Sequence, residues 1–296
     1  MRYPFFSIIV PTYRRNIELA RCLGSIAHLE YPSDRFEVIV VDDGDEVPPG
    51  KAVDSYADKF DVRLVSQPHG GPAKARNTGA DQAKGRFLAF TDDDCAPAVD
   101  WLQALASCLM ANRGGGVGGR TVNLLSENIF STASQMLIGY LYGYYNEVPH
   151  EARFLTSNNL ALPADRFFAM GGFDTAYVRT AAEDRELCDR WRQHGYPLVY
   201  APEAIVYHAH ALTLVTFWRQ HFTYGRGAYQ FHRSRAERAA GQFSVEPGSF
   251  YAGMIRYAFE QSDGAWQGCS LAGLLVLSQA ANAAGFAREW TKSEFG

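Results

Sequence analysis

The stretch LAFTDDDCAP, residues 88–97, decides how this chain is read. An apolar run stops abruptly at Asp92, Asp93 and Asp94. Adjacent carboxylates repel one another, so a strand ending in three of them points to a sheet with a ligand at its edge. Similar apolar runs recur on the N-terminal side: FFSIIV (5–10), FEVIVV (36–41) and VRLVS (62–66), with RFLAFT (86–91) leading into the acids. Each reads as a strand. Helical stretches separate or follow them: Asn16 to about His28, about 51–60, Pro72 to Lys84, and Asp100 to Asn112. Pro72 suits a first helical turn. Continuous apolar strands alternating with helices predict an α/β fold with a mostly parallel sheet, covered by helices on both faces. Ligands of such sheets bind beyond the carboxyl ends of the strands. FEVIVV runs into Asp42 and Asp43, and FFSIIV into Pro11, Thr12, Tyr13 and Arg14. All three tips are expected along one edge.

The second half is less regular. TVNLL (121–125) reads as a strand, Asn128 to Tyr145 as an aromatic-rich helix, and FLTSNNLALP (154–163) as strand and turn. Ala182 to His194 reads as a helix, PLVYAPEAIVYH (197–208) as an extended pair, and Thr213 to about Arg238 as a helix weakened at Gly225 and Gly227. The expected division is a domain over 1–212, with a nucleotide-binding half (1–120) and an acceptor half (121–212), then a C-terminal helical extension over 213–296.

Hydrophobic residues make up 47% and charged residues 20% of 296, which is globular rather than disordered composition. The net charge of −4 speaks against a nucleic-acid partner. Five scattered cysteines, never in a CxxC pair, speak against a disulfide framework or zinc site and fit a reducing cytoplasmic compartment. The N-terminal apolar run is short, ends at Pro11 and is followed by two arginines, unlike a signal peptide. The charge-free window 264–287 carries Gln267, Ser270, Ser278, Gln279 and Asn282, so it reads as a packed or interface-lying helix rather than a membrane span.

The first turn, PTYRRN, lacks the G-x-G-x-x-G of a dinucleotide site, and the D-x-D follows the fourth strand rather than the first, unlike an aspartyl-phosphate hydrolase. An edge lined with aspartates suits a hard divalent cation, Mg2+ or Mn2+, whose shell a diphosphate would complete.

SIIVPTYRR, VIVVDDGD, GGPAKARNTG, FLAFTDDDC, SNNLALP, GGFD and AEDRELCDRW occur in this order. Together they resemble the family 2 glycosyltransferases of GT-A fold, over about residues 5–210. The resemblance implies a metal-dependent, inverting enzyme. It would move one sugar from a nucleotide-diphosphate sugar, a UDP-sugar foremost, to a hydroxyl of a carbohydrate or lipid-linked acceptor in cell-surface polysaccharide or glycoconjugate synthesis. Asp92 would bridge ribose and metal, and Asp94 would hold the metal with the diphosphate. Asp93 is grouped with the nucleotide-binding residues, although neighbouring side chains at a strand end diverge. Asp42 or Asp43 would accept the uracil N–H or cap the following turn. Pro11, Thr12, Tyr13 and Arg14 would line the base pocket. Arg76 would approach the nucleotide or brace the acids.

Glu183 and Asp184 match the family's E-D element, with Asp184 as the base that deprotonates the acceptor. Thr180-Ala-Ala-Glu183 also spells a capping box with Glu183 at its third helical position. His208 is a candidate further metal ligand or a lone exposed histidine, and His210 a weaker one. Arg219, Arg226 and Arg233, spaced by seven, form a basic stripe with Arg235 and Arg238. Arg226 is the diphosphate candidate, against a solvated face. The family's processive members carry Q-x-x-R-W where this chain has WRQHFTYGRG, which points to a single transfer. Asn158, Asn159 and Gly172 would shape the acceptor side. Trp191 would stack on a sugar or pack in the core. Competing readings are a non-catalytic nucleotide-sugar-binding protein and a membrane-associated subunit of a polysaccharide synthase. The expected location is the cytoplasm, with peripheral contact of the C-terminal helices on the inner membrane face. The acidic tip is expected to be poorly neutralised in the absence of metal and nucleotide.

Overall fold

Strands β1 (Phe6–Thr12) and β2 (Phe36–Asp42) run in parallel, Ile8 beside Val38 and Thr12 beside Asp42. In the computed structural model, which describes residues 3–177, 181–238 and 245–295, β3 (Asp61–Ser66) extends this sheet beyond β2. On the other side, β4 (Phe87–Phe90) pairs with β1. Every residue of β2 and β4 is buried, as continuous apolar strands of a two-sided sheet should be. The parallel register brings the carboxyl ends of β1, β2 and β4 to one edge.

Beyond β4 the sheet changes character. The strands β5 (Cys95–Pro97), β6 (Gly116–Asn123), β7 (Leu160–Pro163) and β8 (Leu198–His208) complete the order β3-β2-β1-β4-β7-β6-β8-β5. The pairs β4–β7, β6–β7 and β5–β8 are antiparallel. The expectation of a mostly parallel sheet therefore holds for the first four strands, and the whole is a mixed eight-stranded sheet. The helices are α1 (Asn16–Ile26), α2 (Gly50–Asp54), α3 (Pro72–Asp81), α4 (Trp101–Ala111), α5 (Ile129–Tyr145), α6 (Ala164–Ala169), α7 (Glu183–Gln193), α8 (Leu214–Glu237), α9 (Gly248–Glu260) and α10 (Ala265–Phe295).

Three elements depart from the sequence reading. The helix expected near 51–60 is only the five residues of α2. The strand expected at 121–125 begins earlier, in GVGG. There a Cβ on Gly118 would lie 2.7 Å from Leu155, and one on Gly119 would lie 1.9 Å from the carbonyl of Ala204. Glycine weakens a strand on its own, but here it admits close neighbours. The stretch expected as an extended pair is one strand, β8, with Pro202 on its exposed side.

Two compact units form, Met1–Val122 with Tyr145–Val178 and Glu183–Ala209, and Asn123–Tyr144 with Arg179–Ala182 and His210–Gly296. The second unit thus includes most of α5 as well as the expected C-terminal extension. The reason is apolar: Ala133 and Leu137 of α5 join Phe217, Met254, Leu271 and Leu275 in one buried cluster. Within this unit Gly225 and Gly285 mark a close helix crossing rather than a weak point. A Cβ on either would lie within 1.9 Å of a backbone oxygen of the other helix. Residues 265–293 of α10 are long and apolar enough to cross a bilayer, with mean hydropathy 1.4 and a third of the window buried inside the protein.

Candidate active site

The three aspartates after β4 are paired with two arginines. Arg15, just before α1, places Nη1 2.8 Å from Asp94 Oδ2 and 3.2 Å from Asp93 Oδ1. Arg76, on α3, donates to Asp92 Oδ1 at 2.7 Å. Thr12 Oγ1 donates to the second oxygen of Asp93 at 2.8 Å. The tip expected to be poorly neutralised is partly compensated: two guanidinium groups stand among Asp92, Asp93, Asp94 and Glu183, and Asp93 has a defined place. Burial still pushes the Asp93 carboxyl up to about 6, against the pull of Arg15. Arg15 did not emerge from the sequence because Arg14 precedes it. The left-handed backbone of Arg14 (φ 57°) sends its amide to Asp45 and its guanidinium to Glu46 instead.

Arg76 also reaches the other acidic element. Its Nη1 donates to Glu183 Oε1 at 2.9 Å, and both side chains are buried. Burial works against the charge on Arg76, but Asp92 and Glu183 outweigh it and raise its pKa. Glu183 opens α7 after Ala182, whose φ is +88°. The capping box is therefore corrected: Glu183 is the first helical residue and points to Arg76, and Thr180 lies outside the described residues. Half-buried Asp184 accepts from the backbone N–H of Arg185 at 2.7 Å and from that of Ser157 at 3.4 Å. Burial raises the pKa of both carboxyls. The Asp184 charge adds to the rise at Glu183, and the Arg185 amide opposes it at Asp184.

Register brings a third group to the tip. β5 and β8 pair Cys95 with His208, and His208 Nε2 lies 3.3 Å from Asp94 Oδ1. Asp94, Cys95 and His208 offer ligand atoms all within 4.8 Å of one another. Burial opposes protonation of His208, but its bond to Asp94 raises the pKa overall. A carboxylate oxygen and an imidazole nitrogen fit Mn2+. The Cys95 thiol is buried and its pKa lies well above the usual range, so it is held protonated and is a poor ligand. Asp92 faces Arg76 and is outside this group of three.

At the tips of β1–β3, Asp43 is a hub. Its carboxylate accepts from Gln67 Nε2 at 2.6 Å and from the amides of Gly70 and Gly71 at 2.8 Å each, and His69 Nδ1 lies 2.8 Å away. Asp42 Oδ1 accepts the amide of Asp45, the turn-capping alternative. Exposed Tyr13 stacks on His69, centroids 4.4 Å apart at 24°. Sequence reasoning missed His69, which carries no motif of its own. Pro11 sits within β1, half-buried beside Val41.

The acceptor-side expectations fare unevenly. Asn159 is fully buried and spends its amide on Trp101, Arg120 and Ala204, so it is a core brace. Trp191 is also fully buried, its indole N–H on the Pro197 carbonyl, and cannot stack on a sugar. Gly172 is buried with φ +70°, and a Cβ there would lie 2.6 Å from Asn77 Oδ1. Asn158 accepts from Thr156 at 2.7 Å. Arg226 belongs to the second unit, where Glu289 binds its guanidinium, and Arg233 pairs with Glu237.

The family model for Glycosyl transferase family 2 matches residues 7–175. Glycosyltransferase AglE of Haloferax volcanii is 26% identical over 235 residues, covering 77% of this chain and 74% of the relative. Validoxylamine A glucosyltransferase of Streptomyces hygroscopicus is 27% identical over 248 residues, covering 68% of this chain, which spans about half (51%) of that relative. Among solved structures, the mannosyltransferase PcManGT from Pyrobaculum calidifontis, in complex with GDP-Man and Mn2+, superposes with a TM-score of 0.63 at 20% identity, covering 98% of this chain and 79% of that one. Residues 1–349 of S. aureus TarS in complex with UDP-GlcNAc give 0.56 at 18% identity, covering 99% and 76%.

Proposed function

The chain belongs to glycosyl transferase family 2 and has the GT-A fold, and we propose that it transfers one sugar, with inversion, from a nucleoside-diphosphate sugar to a hydroxyl of a carbohydrate or lipid-linked acceptor. The observation that carries this reading is the pair of ion pairs made by Arg76, which ties the donor-side Asp92 to Glu183, next to Asp184. A donor strand tip and a candidate base are then held in one rigid arrangement, as group transfer requires. The donor reading is a UDP-sugar, with Asp42 or Asp43 on the base, Tyr13 beneath it, and Thr12 behind Asp93.

Asp184 takes the proton of the acceptor hydroxyl. The oxygen attacks the anomeric carbon, the bond from that carbon to the diphosphate breaks, and the nucleoside diphosphate departs from the opposite face. Burial raises the basicity of Asp184, which suits a proton acceptor. Asp94 and His208 would hold a divalent cation, which when bound offsets the charge of the leaving diphosphate. Arg76 holds Asp92 and Glu183 in place. Relatives named for glycan transfer and a solved neighbour with Mn2+ support the class of reaction and the metal.

The test is Asp184→Asn. Sugar transfer to an acceptor should fall at least about a thousandfold, in keeping with loss of a general base, while UDP binding in Mn2+ stays within about twofold. Transfer that survives the substitution would remove Asp184 from the role.

A further inference from the structure

We propose that Arg15 is an internal counter-ion that a divalent cation displaces from Asp94, and that the released guanidinium then engages the donor's diphosphate. This rests on the metal and donor reading above and gives it a residue outside the D-x-D and E-D elements.

The two arginines of the acidic tip are not equivalent. Arg76 is enclosed, bonded to acids on two sides, with Phe173 5.6 Å beneath its guanidinium. Arg15 keeps 43% of its side chain exposed and makes both of its bonds to the acids through Nη1. Its Nε and Nη2 make no bond to these acids, so a second anion can be met without rebuilding the backbone. Arg15 bonds Asp94, the same carboxylate whose other oxygen lies 3.3 Å from His208. A dication held by Asp94 and His208 would share that carboxylate with the guanidinium, and the two positive charges would repel across a few ångströms. Arg76, bonded to Asp92 and Glu183, touches neither Asp94 nor His208.

A diphosphate arriving with the metal supplies the anion that a displaced guanidinium needs, and the planar fork of arginine matches phosphate oxygens. Thr12 keeps its bond to Asp93 throughout, so the strand tip is not left without a donor. The arrangement makes metal and nucleotide binding cooperative, because each removes a partner the other would have to compete with.

Mn2+ uptake is followed by the electron paramagnetic resonance of the free ion, and UDP binding by calorimetry at saturating Mn2+, in the full chain carrying Arg15→Gln. With coupling of typical size, Mn2+ alone should bind about tenfold tighter than to the wild type, and UDP about tenfold weaker. Arg15→Lys, which keeps the charge without the fork, should restore wild-type Mn2+ affinity but only part of the UDP affinity. It also serves as the readout if the Gln variant does not fold. Unchanged or weaker Mn2+ binding in Arg15→Gln overturns the displacement, as does tighter Mn2+ binding in Arg15→Lys. Unchanged UDP affinity in either variant overturns the transfer to diphosphate. A wild-type protein that takes up no Mn2+ overturns the metal reading itself, and this inference with it.

Discussion

Arg76 Nη1 lies 2.9 Å from Glu183 Oε1, across 107 residues of chain. The same guanidinium holds Asp92, so one buried cation serves two acidic elements that the sequence keeps far apart. Buried ion pairs contribute little net stability, but breaking one leaves an uncompensated charge. Arg76→Met should therefore lower the urea unfolding free energy by about 3–5 kcal/mol. The double variant Arg76→Met with Glu183→Gln should recover a large part of that loss, since one stranded charge is then gone. If the single variant unfolds like the wild type, the guanidinium is not what organises the site.

Tyr13 offers its exposed ring beside Asp43, and a nucleobase can stack on it once His69, which stacks there now, gives way. Stacking of a base on an aromatic ring contributes about 1–3 kcal/mol. Tyr13→Ala should weaken UDP binding at least about fivefold, the lower end of that range. Mn2+ uptake, proposed for Asp94 and His208, should stay unchanged. Equal UDP affinity in the two proteins would move the base elsewhere.

What the sequence made legible was what local chemistry alone decides. FEVIVV and RFLAFT are mostly apolar runs, and their acidic ends fall at the sheet edge because parallel register leaves no other place for them. The glycines of β6 misled because strand propensity is a weak guide where neighbours press close, as Ala204 does on Gly119. Asn159 looked like surface chemistry, but burial claimed it through residues more than 40 positions away, Ala204 and Trp101, while for Trp191 the core-packing alternative is the one that holds. Arg15 was hidden for a different reason. Two adjacent arginines are indistinguishable in a sequence, and only the positive φ of Arg14 decides which of them turns to the aspartates.

His221 provides a test of packing in the second unit that is independent of the acidic tip. It lies on α8, 1% exposed, edge-on to Phe217 and Tyr224 at 4.4 and 5.4 Å. Its Nε2 has no hydrogen-bond partner among the described residues. Burial lowers its pKa from 6.5 to about 4. Between those values the unfolded chain binds the proton and the folded protein does not, so stability is full above pH 6.5 and falls as pH drops towards 4. The loss attributable to this one group is at most about 3 kcal/mol. His221→Phe keeps an aromatic ring in the same contacts and removes the titration. Urea unfolding at pH 7 and at pH 4.5 should therefore show a smaller acid loss in the variant than in the wild type, because the carboxylates contribute equally to both and cancel in the difference. An identical acid loss would mean that His221 is hydrated or paired in solution and that α8 does not seal this part of the core.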